Sequence, residues 1–170
     1  VLLTNSSGTE KLNFAADSTL YIKITDSDRN TNSGTAETIT VSASSETETT
    51  AETVTLTETG ANTGIFMGSI TFAEAAASSG DDVLQVTRGD KLTGSYTDPA
   101  DDYGNETTVT DVAFYAVTLT TGSISSSTSW TTSSSPYLVT GDVTIGNNIT
   151  LTIDAGVEVR FLKVSDDQSS

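Results

Sequence analysis

The chain contains no cysteine and no histidine among its 170 residues. Disulfide bonds, thiol catalysis and zinc sites built from cysteine or histidine are therefore excluded. Catalysis by a serine–histidine–aspartate or a cysteine–histidine arrangement is excluded on the same ground. No run of apolar residues approaches the length that spans a bilayer, so we expect no membrane insertion.

Basic residues are scarce, with 7 lysines and arginines against 23 aspartates and glutamates, and the net charge is -16. Such a surface repels nucleic acid and anionic membranes, so we expect neither as a partner. It attracts cations, and calcium is the cation that we expect outside a cell. The alternative is that the acidity serves only to keep the protein in solution.

Threonine and serine make up roughly a third of the chain, which favours strands over helices. Alternating apolar and polar residues predict strands near residues 1–4, 18–25, 36–43, 52–58, 64–72, 83–97 and 107–120, with a break near Gly89. The short segment 72–78 is the only helix candidate, and we expect it to form a loop. The spacing of these strands predicts an all-β fold, an antiparallel β-sandwich.

The segment from Glu52 to Phe72 predicts a strand, a turn and a second strand. Val54 and Leu56 alternate with threonines, and Glu58-Thr-Gly-Ala-Asn-Thr-Gly64 supplies turn residues. This segment resembles a motif of Ig-like β-sandwich repeats in large bacterial and archaeal surface proteins, in which a Glu-Thr-Gly-x-Asn-Thr-Gly-x-Phe turn follows a threonine-rich strand. The resemblance implies an extracellular module at the cell surface. We assign residues 1–120 to this Ig-like β-sandwich.

The composition and the predicted strand length change after residue 120. Residues 121–135 are rich in serine and threonine and are typical of a connector, although Trp130 indicates docking against other residues. Residues 136–170 then predict short strands separated by Gly, Asn and Asp corners. This part is similar to the opening coils of right-handed parallel β-helices in secreted bacterial proteins, which implies a short β-solenoid-like extension. The alternative is that these are extra strands of the sandwich.

A solenoid needs about three repeats to bury its core, and this extension supplies only about two. We therefore expect an open end, with an assembly interface that includes Ile153, Val157, Val159 and Phe161. Either the chain is part of a longer β-helix protein, or the end is covered by another copy. The second case predicts a homo-oligomer or polymer through exposed strand edges. Because the chain begins at Val1 rather than Met and shows no leader, we expect a processed protein or a fragment.

The strongest metal candidate is the acidic segment 26–37. Asp26, Asp28 and Asn30 place oxygen ligands at alternate positions, and Glu37 follows where an EF-hand loop would have its bidentate carboxylate. Thr31 stands where that loop needs glycine, and no flanking helices are predicted, so we do not expect an EF-hand. The alternative is a loop of Asx turns without an ion.

A second acidic cluster covers residues 98–106. Its candidate calcium ligands are Asp98, Asp101, Asp102 and Asn105. In an Ig-like sandwich this loop and the Asp26 loop lie at one end, where they can share a cation, and crowded carboxylates without a counter-ion destabilise a fold. The alternative is a solvated acidic loop.

Together these patterns predict a non-catalytic extracellular structural module, a self-associating subunit or segment of a surface fibre, filament or layer, with loops rigidified by calcium. We do not expect an enzyme, because the acidic residues lie in turns and no aromatic cluster marks a sugar cleft. One alternative is an adhesin or carbohydrate-binding module, which predicts an exposed aromatic platform. The other is a spacer domain of a larger secreted β-helix protein.

Overall fold

A computed structural model describes residues 1–101 and 103–162, and this part of the chain is all-β. Its strands are β1 (Leu2–Thr4), β2 (Asn13–Phe14), β3 (Thr19–Thr25), β4 (Thr38–Ser45), β5 (Glu52–Glu58), β6 (Ile65–Ala73), β7 (Val83–Gln85), β8 (Lys91–Asp98), β9 (Thr107–Tyr115), β10 (Thr118–Ile124), β11 (Thr128–Trp130), β12 (Tyr137–Ile145), β13 (Leu151–Ile153) and β14 (Val159–Phe161). Within these ranges the helical structure is a single 3-10 turn, Thr132–Ser134, and no helix has the length and apolarity to cross a membrane.

The chain divides into two compact units, the first formed by Val1–Ala116 and the second beginning at Val117. In the first unit the described strands form one nine-stranded sheet in the order β1-β3-β6-β5-β4-β8-β9-β2, with β7 paired to β6. Most neighbours are antiparallel, as the sequence predicts, whereas the short strands β2 and β7 pair in parallel with β9 and β6.

The sheet of the first unit curls so that its two ends approach each other. The backbone N–H of Leu3 in β1 donates a hydrogen bond of 2.7 Å to Oδ2 of Asp111 in β9, although several strands separate them in the sheet order. The inner face is apolar because strict alternation turns one side of each strand inward. Leu20, Leu56 and Phe66 are fully buried in this core.

Two breaks in the predicted strands occur at residues with a positive φ. Gly89, with φ of 97°, separates β7 from β8, which is where the sequence predicts a break. The strand predicted over 107–120 is interrupted at Ala116, which has a φ of 52° and donates its N–H to the carbonyl of Phe14. A positive φ is uncommon for a residue with a side chain, so periodicity alone did not reveal this break.

The second unit consists of parallel pairs. In its described part, β10, β12 and β14 form one sheet, and β11 and β13 form another. Thr118 pairs with Tyr137 and Tyr137 pairs with Val159, while Thr128 pairs with Leu151. Successive passes of the chain therefore stack in parallel on two sides, with a register shift in the β10–β12 pair between Thr120 and Gly122. Strands β10 and β11 include residues 121–124 and 128–130 of segment 121–135, where the sequence predicts a connector.

Candidate functional site

The predicted acidic loops meet at one end of the first unit. A cavity of about 400 Å³ lies between the ends of β3 and β8. Its lining includes four carboxylates, from Asp26, Asp28, Asp98 and Asp101. Asp26 and Asp28 directly follow β3, and Asp98 is the last residue of β8, so two strand ends bring these side chains together.

Asp26 is the buried member of this group, and both of its oxygens accept hydrogen bonds. Oδ1 accepts the backbone N–H groups of Asp28 at 3.0 Å and Arg29 at 3.2 Å, which is an Asx turn. Oδ2 accepts the hydroxyl of buried Tyr96 at 2.6 Å. Burial, this hydrogen bond and the negative charges of Asp26 and Asp98 raise the pKa of Tyr96, so the hydroxyl stays protonated and remains the donor.

Asp101 organises its own loop. Its Oδ1 accepts the backbone N–H groups of Tyr103 and Asn105, both at 2.9 Å, and its Oδ2 accepts the hydroxyl of Thr107 at 3.1 Å. The N–H of Asn105 is the main cause that holds the pKa of Asp101 below its ordinary value. Asp102, also predicted as a ligand, lies outside the described residues.

The remaining predicted ligands, Asn30 and Glu37, belong to a different group of polar side chains. Asn30 donates its amide to Oδ1 of Asn62 at 2.8 Å, and Glu37 accepts the hydroxyl of Thr31 at 3.1 Å. Neither residue lines the acidic cavity. Oδ1 of Asn30 and Oε2 of Glu37 are buried and accept no hydrogen bond from the described residues.

Glu58 is the centre of the turn that carries the Glu-Thr-Gly-x-Asn-Thr-Gly motif. Its Oε1 accepts the backbone N–H groups of Thr63 at 2.6 Å and Gly64 at 2.7 Å. Burial acts to raise the pKa of Glu58, but these N–H groups, together with the neighbouring Glu37 carboxyl, hold its pKa below the ordinary value. Glu58, the first residue of the motif, thus stabilises the turn by accepting hydrogen bonds from its backbone.

Calcium requires six to eight oxygens around one point. Among residues 1–101 and 103–162, no three acidic side chains are grouped closely enough to hold a metal ion. The carboxylates of Asp26 and Asp101 instead hold loop N–H groups. In this geometry, the carboxylates of Asp26 and Asp101 act as hydrogen-bond acceptors for the backbone of the acidic loops.

The predicted assembly residues lie around an apolar cavity of about 500 Å³ in the second unit. Trp130 and Tyr137 stack with ring centroids 4.6 Å apart and form a small buried cluster with Val139. Ile153 and Phe161 line the cavity but remain 50% and 76% exposed. Val159 also lines the cavity, and Val157 packs against the cluster as a partly buried residue.

Sequence reasoning missed two sets of residues. Val143 and Leu151 also line the apolar cavity, and their places in the strand alternation are the signal that would have revealed them. Glu48 and Glu52 are fully or almost fully buried acids in the first unit. Glu52 lies two residues before Val54, on the inward side of β5, so the alternation predicts its burial too.

The chain matches no protein-family model, and no curated protein matches its sequence.

Proposed function

We propose that the protein is a non-catalytic extracellular structural module that self-associates through the open end of its second unit, as a subunit or segment of a surface fibre, filament or layer. In this proposal the first unit is an Ig-like β-sandwich repeat, and the second unit is the beginning of a parallel β-solenoid. Calcium rigidifies the acidic loops of the first unit.

The curled, mainly antiparallel sheet of the first unit supports the Ig-like interpretation. Its inner face is one apolar core, and the Glu58 turn is fixed by hydrogen bonds to Thr63 and Gly64. In the second unit, parallel stacking on two sides supports the solenoid interpretation, because coils of a solenoid add strands in this manner.

The exposed apolar end of the second unit is the observation that carries the proposal. Strands β13 and β14 stand last in the strand orders of their sheets in the described part of the chain. Beside these edges, Ile153 and Phe161 expose half or more of their surface around the apolar cavity. Exposed edges and apolar patches favour addition of another strand.

A second copy is the occupant that we propose. The second unit has complementary ends, since β10 and β11 form edges on one side of the stack and β13 and β14 form edges on the other. Contact between unlike ends is heterologous, and a heterologous contact that does not close into a ring produces a filament.

Light scattering tests this proposal. In millimolar calcium, we expect a molar mass above the 17.6 kDa of the chain that grows with protein concentration. Phe161→Glu should return the mass to that of the monomer, because a buried charge opposes stacking. Tyr103→Glu is the matched control, since Tyr103 is an exposed aromatic residue of the first unit, and it should leave the mass of the assembly unchanged.

A monomer at every concentration would contradict self-association. That result would favour the spacer alternative, in which a following coil of a longer chain covers Phe161. The adhesin alternative needs an exposed aromatic platform, and Trp130 and Tyr137 are both buried. Tyr103 and Phe161 are the strongly exposed aromatic residues of the described chain, and they lie in different units.

A further inference from the structure

A buried polar network lies in the first unit, outside the acidic cavity. It joins the hairpin turn between β4 and β5 to the segment between β6 and β7. Four of its members, Ser45, Glu48, Glu52 and Gln85, are buried. Buried acids are rare unless they are paired, so two in one network require a physical explanation.

Glu52 is fully engaged as a carboxylate. One of its oxygens accepts the backbone N–H of Gly80, and the other accepts the backbone N–H of Asp82 at 3.2 Å. These two hydrogen bonds attach segment 78–82 to the start of β5.

Glu48 is engaged on one side only. Its Oε2 accepts the backbone N–H of Gln85 at 2.9 Å, and its own N–H donates to the hydroxyl of Ser45 at 2.8 Å. Oε1 of Glu48 is buried, and no group of the described chain donates a hydrogen bond to it. The carboxyl group of Glu48 interacts with the carboxyl group of Glu52, through a side-chain hydrogen bond and through charge.

We propose that Glu48 carries a proton on Oε1 in the folded protein and donates it to the Glu52 carboxylate, forming a pH-sensitive latch between the β4–β5 hairpin and segment 78–82. The name carboxyl latch refers to Glu48, Glu52 and the backbone N–H groups of Gly80, Asp82 and Gln85. One proton satisfies the unpaired oxygen and removes one of two adjacent buried charges.

The two charged groups around Glu48, the side chains of Glu52 and Asp81, both raise its pKa. Burial raises the pKa of Glu48, the N–H of Gln85 lowers it, and the carboxylates of Glu52 on β5 and Asp81 before β7 raise it further. The contacts from β4 and β7 are made by Ser45 and Gln85, which are uncharged. Asp81 itself accepts the side-chain amide of Gln85 at 3.1 Å.

A proton fits this site better than a metal ion. Calcium would need several more oxygens directed at one point, but both oxygens of Glu52 already accept N–H groups. No group of three acidic side chains suited to a metal is found among the described residues. A single proton needs only the Oε1 atom and one neighbouring acceptor.

The latch should weaken as pH rises. Because folding raises the pKa of Glu48, the stabilisation is fully present below the ordinary glutamate pKa and is lost as pH rises through the folded pKa. Buried glutamates can titrate as high as about pH 8–9. The chain has no histidine or cysteine, so few other groups titrate between about pH 5 and 8.

Thermal unfolding of the full chain from about pH 5 to about pH 9 tests the latch. We expect the Tm of the unmodified protein to fall by several degrees across this range. Glu48→Gln should remove the fall, because its amide donates to Glu52 without titrating. Glu46→Gln, an exposed acid in the same turn, makes the same charge change and should keep the fall.

Infrared spectroscopy detects the proton without depending on the stability of a variant. A protonated carboxyl band should persist above the ordinary glutamate pKa in the unmodified protein and be absent in Glu48→Gln. The protection factors of the Gly80, Asp82 and Gln85 amides, which are corrected for the base-catalysed intrinsic exchange rate, should fall as pH rises in the unmodified protein and not in Glu48→Gln. Absence of the band, or the same pH dependence in Glu48→Gln, would overturn the proposal. A rise in Tm with calcium at constant pH that Glu48→Gln abolishes would also overturn it, in favour of a metal site.

Discussion

At the scale of single residues, buried carboxylates in the first unit act as acceptors for loop backbone. Asp26 holds the loop after β3, Glu58 holds the turn before β6, and Glu52 holds segment 78–82. Each carboxylate gives a backbone N–H the hydrogen bond that water provides in the unfolded chain. An N–H group that is buried without a partner costs free energy. These acids therefore contribute to the fold as well as to the net charge.

The hydrogen bond between Tyr96 and Asp26 gives a prediction at this scale. Tyr96→Phe keeps the ring in the core but removes the hydroxyl that Oδ2 of Asp26 accepts at 2.6 Å. A buried acceptor left without its donor costs about 1–3 kcal/mol. We expect urea denaturation to show a loss of unfolding free energy of this size.

Tyr103→Phe is the control for this substitution, because Tyr103 is 89% exposed and lies in a loop. It should change the unfolding free energy by less than about 0.5 kcal/mol. Equal losses in Tyr96→Phe and Tyr103→Phe would contradict the view that Asp26 depends on the hydroxyl.

Burial of Glu52 and Glu58 was predictable from the sequence, but the partners of Glu52 were not. In β5, Glu52 and Glu58 occupy the same side as Val54 and Leu56, so alternation alone puts all four inward. The donors to Glu52 come from Gly80 and Asp82, far away in the sequence. Such pairings depend on how distant segments fold together, which a local pattern does not contain.

At the scale of elements, alternation predicted most strands of the first unit to within a few residues. Strand β5 is observed as predicted, and β3 and β6 differ by one residue at their ends. Strand β2 has two residues, too short for any period to be visible. The second unit differs more from its prediction. Strand β12 continues through the Gly-Asp corner that the sequence predicts, and its pairing with β10 shifts register between Thr120 and Gly122.

Gly68 sets how closely β5 and β6 approach. A Cβ atom at this position would contact the carbonyl oxygen of Thr55 and lie 2.7 Å from Cδ2 of Leu56. Real side chains do not fit at this separation, so Gly68→Ala must push the two strands apart. We expect a loss of about 1–3 kcal/mol in unfolding free energy, measured by urea denaturation.

The matched control is Gly34→Ala. Gly34 is exposed in the loop before β4, and a Cβ there would lie 3.4 Å from Oδ1 of Asn32, without a positive φ. This substitution should leave stability nearly unchanged. If both glycine variants unfold at the same urea concentration as the parent, the close approach of β5 and β6 does not depend on Gly68.

At the scale of the whole molecule, the charge of -16 opposes the association that we propose. Copies that stack end to end bring like charges together, and salt screens this repulsion over a Debye length of about 10 Å at 0.1 M. Sodium chloride should therefore increase the molar mass of assemblies, through screening alone. Calcium adds a specific effect only if it binds the acidic loops.

Thermal unfolding in sodium and calcium chloride at equal ionic strength separates screening from binding. If calcium rigidifies the loops, Tm should be higher in calcium, and Asp28→Asn should remove that excess while leaving Tm in chelator unchanged. Asp28 is suited to this test because it is exposed and lines the acidic cavity, whereas Asp26 also holds Tyr96. Asp17→Asn, a control at an exposed acid elsewhere in the first unit, should keep the full calcium effect. Equal Tm values in the two salts would show that the acidic loops respond to calcium only as bulk charge, and calcium would then have no structural part in the assembly.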